Sequence, residues 1–258
     1  MIPTLTRFSG FGAGFSPASI PSLALWLRTD GNVYYSGTTQ CTNAQDVATW
    51  VDGSVNGYNA TEATNKPVFY TGLYNGLPGI LYNGSNDILR LGGSTNLGRN
   101  VSGCSIFAVV DSASTTQVGK QFVSISSSTL GNNRCVLRTG SVANKWSFGG
   151  RCLDADSAVL SDSSAASTTN PTALCAIFDY SVKKAYLYVN GVLDTTIDPF
   201  QTATTTSNTA PANVGIGAGC DNTNWWNGYI MEVCIYNKAL TSGEGTKLYN
   251  YAKSKWAL

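Results

Sequence analysis

The 258 residues carry 16 Lys plus Arg against 15 Asp plus Glu, with no histidine and no run of like charge, which excludes the electrostatic footprint of a nucleic-acid partner. Charged residues make up 12% and hydrophobic residues 43%, so one large core is affordable while the surface must be neutral and polar, built from Ser, Thr, Asn and 27 Gly. No apolar run is long enough for a membrane-spanning helix.

Residues 1–20 form a polar, Gly-rich stretch punctuated by Phe8, Phe11 and Phe15, without periodicity of either kind. It reads as an arm: either a mobile terminus or a docking segment whose phenylalanines order on a partner. It lacks the continuous apolar core of an export signal. From Leu23 onward, short strand-like runs recur between Gly, Asn, Ser and Pro clusters, the spacing of a sandwich or barrel. They are expected at 23–27, 67–70, 79–82, 105–110, 121–126, 135–138, 145–148, 173–178, 184–189, 214–217 and 230–236. Asn190-Gly191 between two apolar runs supplies the positive φ angles of a type I′ hairpin. The Ser/Thr/Ala-rich stretches 154–172 and 201–213 lack apolar periodicity and read as long surface loops. Near the end, Thr241 with Glu244 three residues on makes a capping box, and Leu248, Tyr251 and Ala252 follow at one-face spacing, which predicts a short helix.

Several segments together resemble the laminin G-like branch of the concanavalin A-like jelly rolls. Trp50-Val-Asp52-Gly-Ser-Val-Asn-Gly-Tyr-Asn59-Ala60 is similar to that family's W-x-D-x-S-G-x-G-x-N-A. Gly76-Leu-Pro-Gly-Ile-Leu-Tyr-Asn-Gly84-Ser-Asn-Asp87 and the Tyr188-Val-Asn-Gly191 hairpin follow the same family. The segment from Gly228 to Glu244 runs close to its closing strand, and Leu248 to Trp256 to a tail found in bacterial and bacteriophage versions. The resemblance implies an all-β fold: an antiparallel two-sheet jelly-roll sandwich over residues 21–258, with a short C-terminal helix. Met231 and Cys234 stand where the family pattern has Asp and Arg. Calcium, which some members bind through loop carboxylates, would have to use Asp30, Asp52, Asp87 and Asp221, which no sequence spacing groups, so no cofactor is expected.

Chemistry finds few carriers. The glutamates Glu62, Glu232 and Glu244 fall in a turn, a strand and a helix cap, not as the carboxylate pair of a glycosidase. Without histidine there is no Ser or Cys triad of the common kind. Seven widely spaced cysteines without a CxxC pair read as reduced, buried, small apolar residues rather than a zinc site. The chain is therefore expected not to be an enzyme. Asn222, Asn224, Trp225, Trp226 and Tyr229 form an aromatic, amide-rich stretch suited to stacking on sugars, although paired tryptophans at a strand entrance also fill cores. Trp26, Trp50 and Trp256 are expected in the core.

Two functional expectations follow. One is a bacteriophage virion protein, a capsid decoration or fibre subunit made in the host cytoplasm, docked to the shell and homo-oligomeric, with a trimer favoured. The other is a carbohydrate-binding module or adhesin, extracellular or on a cell surface, that recognises glycans.

Overall fold

The computed structural model describes residues 14–127, 133–200 and 211–258. The N-terminal strands are β1 (Leu23–Arg28), β2 (Val33–Ser36), β3 (Thr39–Gln40), β4 (Gln45–Asp46), β5 (Thr49–Trp50), β6 (Ala60–Thr61), β7 (Val68–Tyr70), β8 (Gly79–Asn83) and β9 (Leu89–Thr95). The middle strands are β10 (Gly103–Ser112), β11 (Gln121–Ser126), β12 (Asn133–Thr139), β13 (Lys145–Gly150) and β14 (Val159–Ala166). There follow β15 (Thr172–Asp179), β16 (Lys184–Val189), β17 (Val192–Ile197), β18 (Ala212–Ile216), β19 (Asn227–Tyr236) and the helix α1 (Ser242–Trp256).

These strands make two antiparallel sheets. The first runs β17-β16-β15-β10-β19-β8-β7-β4, with β1 beside the second half of β19; the second runs β14-β13-β12-β11-β18-β9-β6-β5-β2-β3. They face each other across a continuous core that includes Leu25, Trp50, Ile106, Phe122, Phe148, Phe178 and Ile235. This is the sandwich expected from the sequence.

The central strands of the first sheet are apolar on both faces because both are covered. In β10, Cys104, Ile106, Ala108 and Val110 point into the sandwich, while Phe107 and Val109 point outward. β15 alternates likewise, with Leu174, Ala176 and Phe178 inward and Ala173, Cys175 and Ile177 outward. The outward set is covered by Leu248, Ala252 and Trp256 of α1 and by Ile20. The helix starts where the sequence places it: Thr241 Oγ1 accepts from Glu244 N at 3.3 Å and Glu244 Oε2 accepts from Thr241 N at 2.9 Å.

One buried polar cluster fastens the helix to that sheet. Glu232 on β19 is fully buried, and its Oε1 accepts from Trp26 Nε1 at 2.6 Å and Tyr251 OH at 2.9 Å. Its Oε2 accepts from Lys255 Nζ at 3.0 Å and Trp256 Nε1 at 2.9 Å. Lys255 Nζ also donates to Asp30 Oδ1 and to Tyr251 OH, both at 2.9 Å. Four donors on one carboxylate and three acceptors on one ammonium offset the desolvation that makes a bare buried charge costly.

Two expectations change. Residues 154–172 are not a single loop, since Val159–Ala166 is the edge strand β14. Its Ser/Ala sequence shows no apolar alternation because it sits at the rim and is held by polar contacts: Ser163 Oγ accepts from Trp146 N at 3.0 Å, and Asp194 accepts from Ser164 N and Ala165 N, each at 2.7 Å. Of the other expected loop, 201–210 lie outside the described residues and Ala212 already belongs to β18. In the expected arm, Phe8 and Phe11 lie outside the described residues. Phe15 packs edge-on against Tyr251 with ring centroids 6.2 Å apart, and Tyr236 OH donates to Pro17 O at 3.0 Å, so residues 15–20 rest on the domain's own surface.

Candidate ligand-binding surface

The aromatic, amide-rich stretch expected to bind lies in the loop from Gly217 to Trp226, between β18 and β19. Trp226 is its anchor. It is fully buried, with its ring centroid 5.1 Å from Phe122 and 6.4 Å from Trp146, so it offers no face to a ligand, contrary to its place among the expected contact residues. The loop passes tightly over Tyr82: Gly217 has φ +85°, and a Cβ there would lie 2.0 Å from the Tyr82 ring. A turn with Asn222 N donating to Gly219 O at 3.0 Å and Gly219 N donating to Thr223 O at 2.9 Å shapes the tip. Asn222 and Asn224 both adopt left-handed backbone, at φ 62° and 58°, which asparagine tolerates better than most residues.

Trp225, one residue before the anchor, is half-buried and bridged to Gln121, while Asn222 and Asn224 are exposed. Tyr229 is elsewhere. It lies on the outer face of the first sheet, edge-on to Tyr70 at 6.1 Å and Tyr74 at 6.3 Å. Burial and the neighbouring Tyr70 and Asp111 raise its pKa above the ordinary tyrosine value. The structure thus keeps Asn222, Asn224 and Trp225 on one loop, withdraws Trp226 into the core and separates Tyr229 from all of them.

Sequence reasoning missed what stands beside that loop. Arg90 on β9 points away from the core, whose side of the strand is taken by Leu89 and Leu91. Its guanidinium pairs with Glu62 and donates to Asn222 Oδ1, tying β9 to the loop tip. Burial pushes the Glu62 carboxyl up, but the Thr64 amide, the Arg90 charge and the Ala63 and Asn65 amides outweigh it and hold the group below the usual carboxylate value. Two residues along the same strand face is Gly92, where a side chain would meet nothing within 4 Å. There a cleft of about 240 Å³ opens, lined by Gly57, Tyr58, Asn59, Leu91, Gly92 and Thr95. The Gly92-Gly93 pair inside a strand was the available signal, since glycine in a strand often marks an open surface for another group.

The cleft wall is built by Asp52. Its carboxylate accepts from Trp26 N at 2.9 Å, Ser54 N at 2.8 Å, Ser54 Oγ at 2.7 Å and Tyr58 N at 2.9 Å, curling 52–59 so that Tyr58 and Asn59 flank Gly92. Asp87 accepts from Asn83 N and Nδ2, Asp221 from Thr223 Oγ1, and Asp30 from Lys255. Among the described residues no three Asp, Glu, Cys or His side chains converge as a metal site would require.

A laminin G-like family model, described as the concanavalin A-like lectin/glucanases superfamily, matches residues 83–244, more than half of the chain. The chain belongs to this superfamily. The superfamily fold is shared with the binding domain of botulinum neurotoxin serotype D, at TM-score 0.59 and 14% identity over 89% of this chain and 51% of that one. A heptameric SAP-like pentraxin from Limulus polyphemus aligns at TM-score 0.51 and 14% identity over 65% of this chain and 79% of that one. A Trypanosoma rangeli sialidase, solved with the inhibitor DANA, aligns at TM-score 0.57 and 14% identity over 91% of this chain and 34% of that one. The chain thus spans about half the length of the neurotoxin binding domain and a third of the sialidase. No curated protein matches the chain in sequence.

Proposed function

We propose that this lectin-like domain is a non-enzymatic carbohydrate-binding module whose site is the outer face of the second sheet, from the Gly92 cleft through Arg90 to the Asn222–Trp225 loop. The observation that carries the reading is the open floor at Gly92, flanked by an aromatic side chain, Tyr58, and by amides and a guanidinium able to bond hydroxyls. Because Arg90 is already paired with Glu62, the strip carries little net charge and suits neutral sugars. The three glutamates support binding over hydrolysis: Glu62 is paired with Arg90, Glu232 holds four donors and Glu244 closes the helix cap. A glycan array probed with the wild-type chain and with Gly92→Val tests this: neutral glycans are bound by the first and lost by the second, and equal binding by both sinks the reading.

A second reading, a homo-oligomeric bacteriophage virion subunit that displays this surface, is favoured by the edge strand β17, where Val192 is 69% and Leu193 49% exposed. Exposed apolar residues at the start of an edge strand, short of Asp194 where β14 packs against it, suit a subunit contact. Seven free thiols also suit a protein made in a reducing compartment and docked to other virion proteins. The native mass and co-sedimentation with phage particles test it: a trimer that Leu193→Lys dissociates supports the reading, and a monomer that ignores particles ends it.

A further inference from the structure

Cys104 and Cys135 meet across the sandwich. Cys104 belongs to β10 of the first sheet and Cys135 to β12 of the second, and both are fully buried in the core between them. The two strands approach to within 8 Å between Cα atoms. The Cys104 and Cys135 side chains lie close enough to interact, and Tyr180 OH lies 3.3 Å from Cys135 Sγ. Arg134, the residue before Cys135 and itself fully buried, passes with Cys104 Sγ beneath Gly98.

We propose that Cys104 and Cys135 are a disulfide-forming pair that links the two sheets when the protein meets a peroxide or a disulfide oxidant. Cys135 is taken as the attacking sulfur because it neighbours both Cys104 and the Tyr180 hydroxyl, at 3.3 Å, with the Arg134 guanidinium nearby, groups that stabilise a thiolate against the cost of burial. With hydrogen peroxide, the Cys135 thiolate takes one oxygen to become a sulfenic acid and hydroxide leaves. The Cys104 sulfur then attacks the Cys135 sulfur, the S–O bond breaks, and the proton of Cys104 leaves with the departing oxygen as water. Two thiols are oxidised by two electrons and one peroxide becomes two waters.

The other cysteines are placed differently. Cys175 and Cys234 flank Phe107, which pairs with both in register, so a strand separates them. Cys220 is held by Ser124, and half-buried Cys41 lies beside Asp46. Cys152 is the one competitor, since it is buried in the same core.

The native chain is treated with hydrogen peroxide, and in parallel the reduced, denatured chain is refolded in a glutathione redox buffer, so that burial cannot hide the thiols. The expected result is a fall from seven titratable thiols to five in monomeric protein. Trypsin separates the candidates, releasing Cys104 in 100–120, Cys135 in 135–138 and Cys152 in 152–183. A mass equal to 100–120 joined to 135–138, lost on reduction, supports the pair, as does a melting temperature roughly 5–10 °C higher than in dithiothreitol. Seven thiols retained under both regimes, or a bridge from 135–138 to 152–183, overturns it.

Discussion

The outer faces of the two sheets treat polar groups in opposite ways. On the first sheet Glu232 and Lys255 are buried under α1 with every strong donor and acceptor engaged, and around them Phe107, Met231 and Trp256 close an apolar layer. On the second sheet Arg90, 34% exposed in its side chain, stands beside a bare Gly92. A chain with so few charges places one ion pair where it fastens the fold and another where a ligand can reach it. Residues on the first face should therefore govern stability, and residues on the second should govern binding.

The largest effect is expected at the buried clamp. Glu232→Ala takes away one of the three acceptors of Lys255 and the acceptor of the Tyr251 hydroxyl and of two indole N–H groups, and should cost about 3–5 kcal/mol in denaturant unfolding. The pair Glu232→Leu with Lys255→Met should recover part of this by removing the buried ammonium that has lost its buried counter-charge, though the indoles of Trp26 and Trp256 stay unpartnered. Equal loss in single and double variants would show that packing, not the ion pair, holds the helix. Next is Gly217→Ala, whose Cβ would sit 2.0 Å from the Tyr82 ring at φ +85°. It should cost about 2–3 kcal/mol by the same measurement, and it should also disturb the loop bearing Trp225.

A smaller effect sharpens the contrast between buried carboxylates. Asp87 is buried with no cation paired to it among the described residues, and burial raises its pKa to about 6 despite the Asn83 amide, with Asp46 adding to the rise. The folded state then holds this proton more tightly than the unfolded chain, so the contribution is complete below roughly pH 4, the ordinary Asp range, and is lost as pH rises through 6. Unfolding free energy should fall by on the order of 1 kcal/mol over that window, and Asp87→Asn should remove the slope. A slope unchanged in the variant would assign it to other groups.

Much of the fold was legible because local signals agreed. The runs at 121–126 and 184–189 became β11 and β16 without change, and Asn190-Gly191 forms its hairpin with φ 48° and 77°. Thr241 and Glu244 cap the helix as their spacing implied. The proposed binding surface was less legible. Trp225 and Trp226 look equivalent in sequence, and only the path of the loop, bridged to Gln121 at Trp225, leaves one half-buried and sends the other to Phe122. Arg90, Glu62 and Asn222 meet from distant segments, so no spacing could join them. β14 escaped notice because an edge held by Ser163 and Asp194 needs no apolar pattern.

The smallest effect on stability and the largest on recognition belong to the second face. Gly92→Val and Trp225→Ala should each leave the unfolding free energy within about 0.5 kcal/mol of wild type. The decisive measurement is the calorimetric affinity of wild type and these two variants for the strongest neutral glycan found on an array. The account predicts a loss of roughly tenfold or more, about 1.4 kcal/mol, in each variant at unchanged stability. Unchanged affinity in both would place recognition elsewhere on the molecule and contradict the division between the two faces.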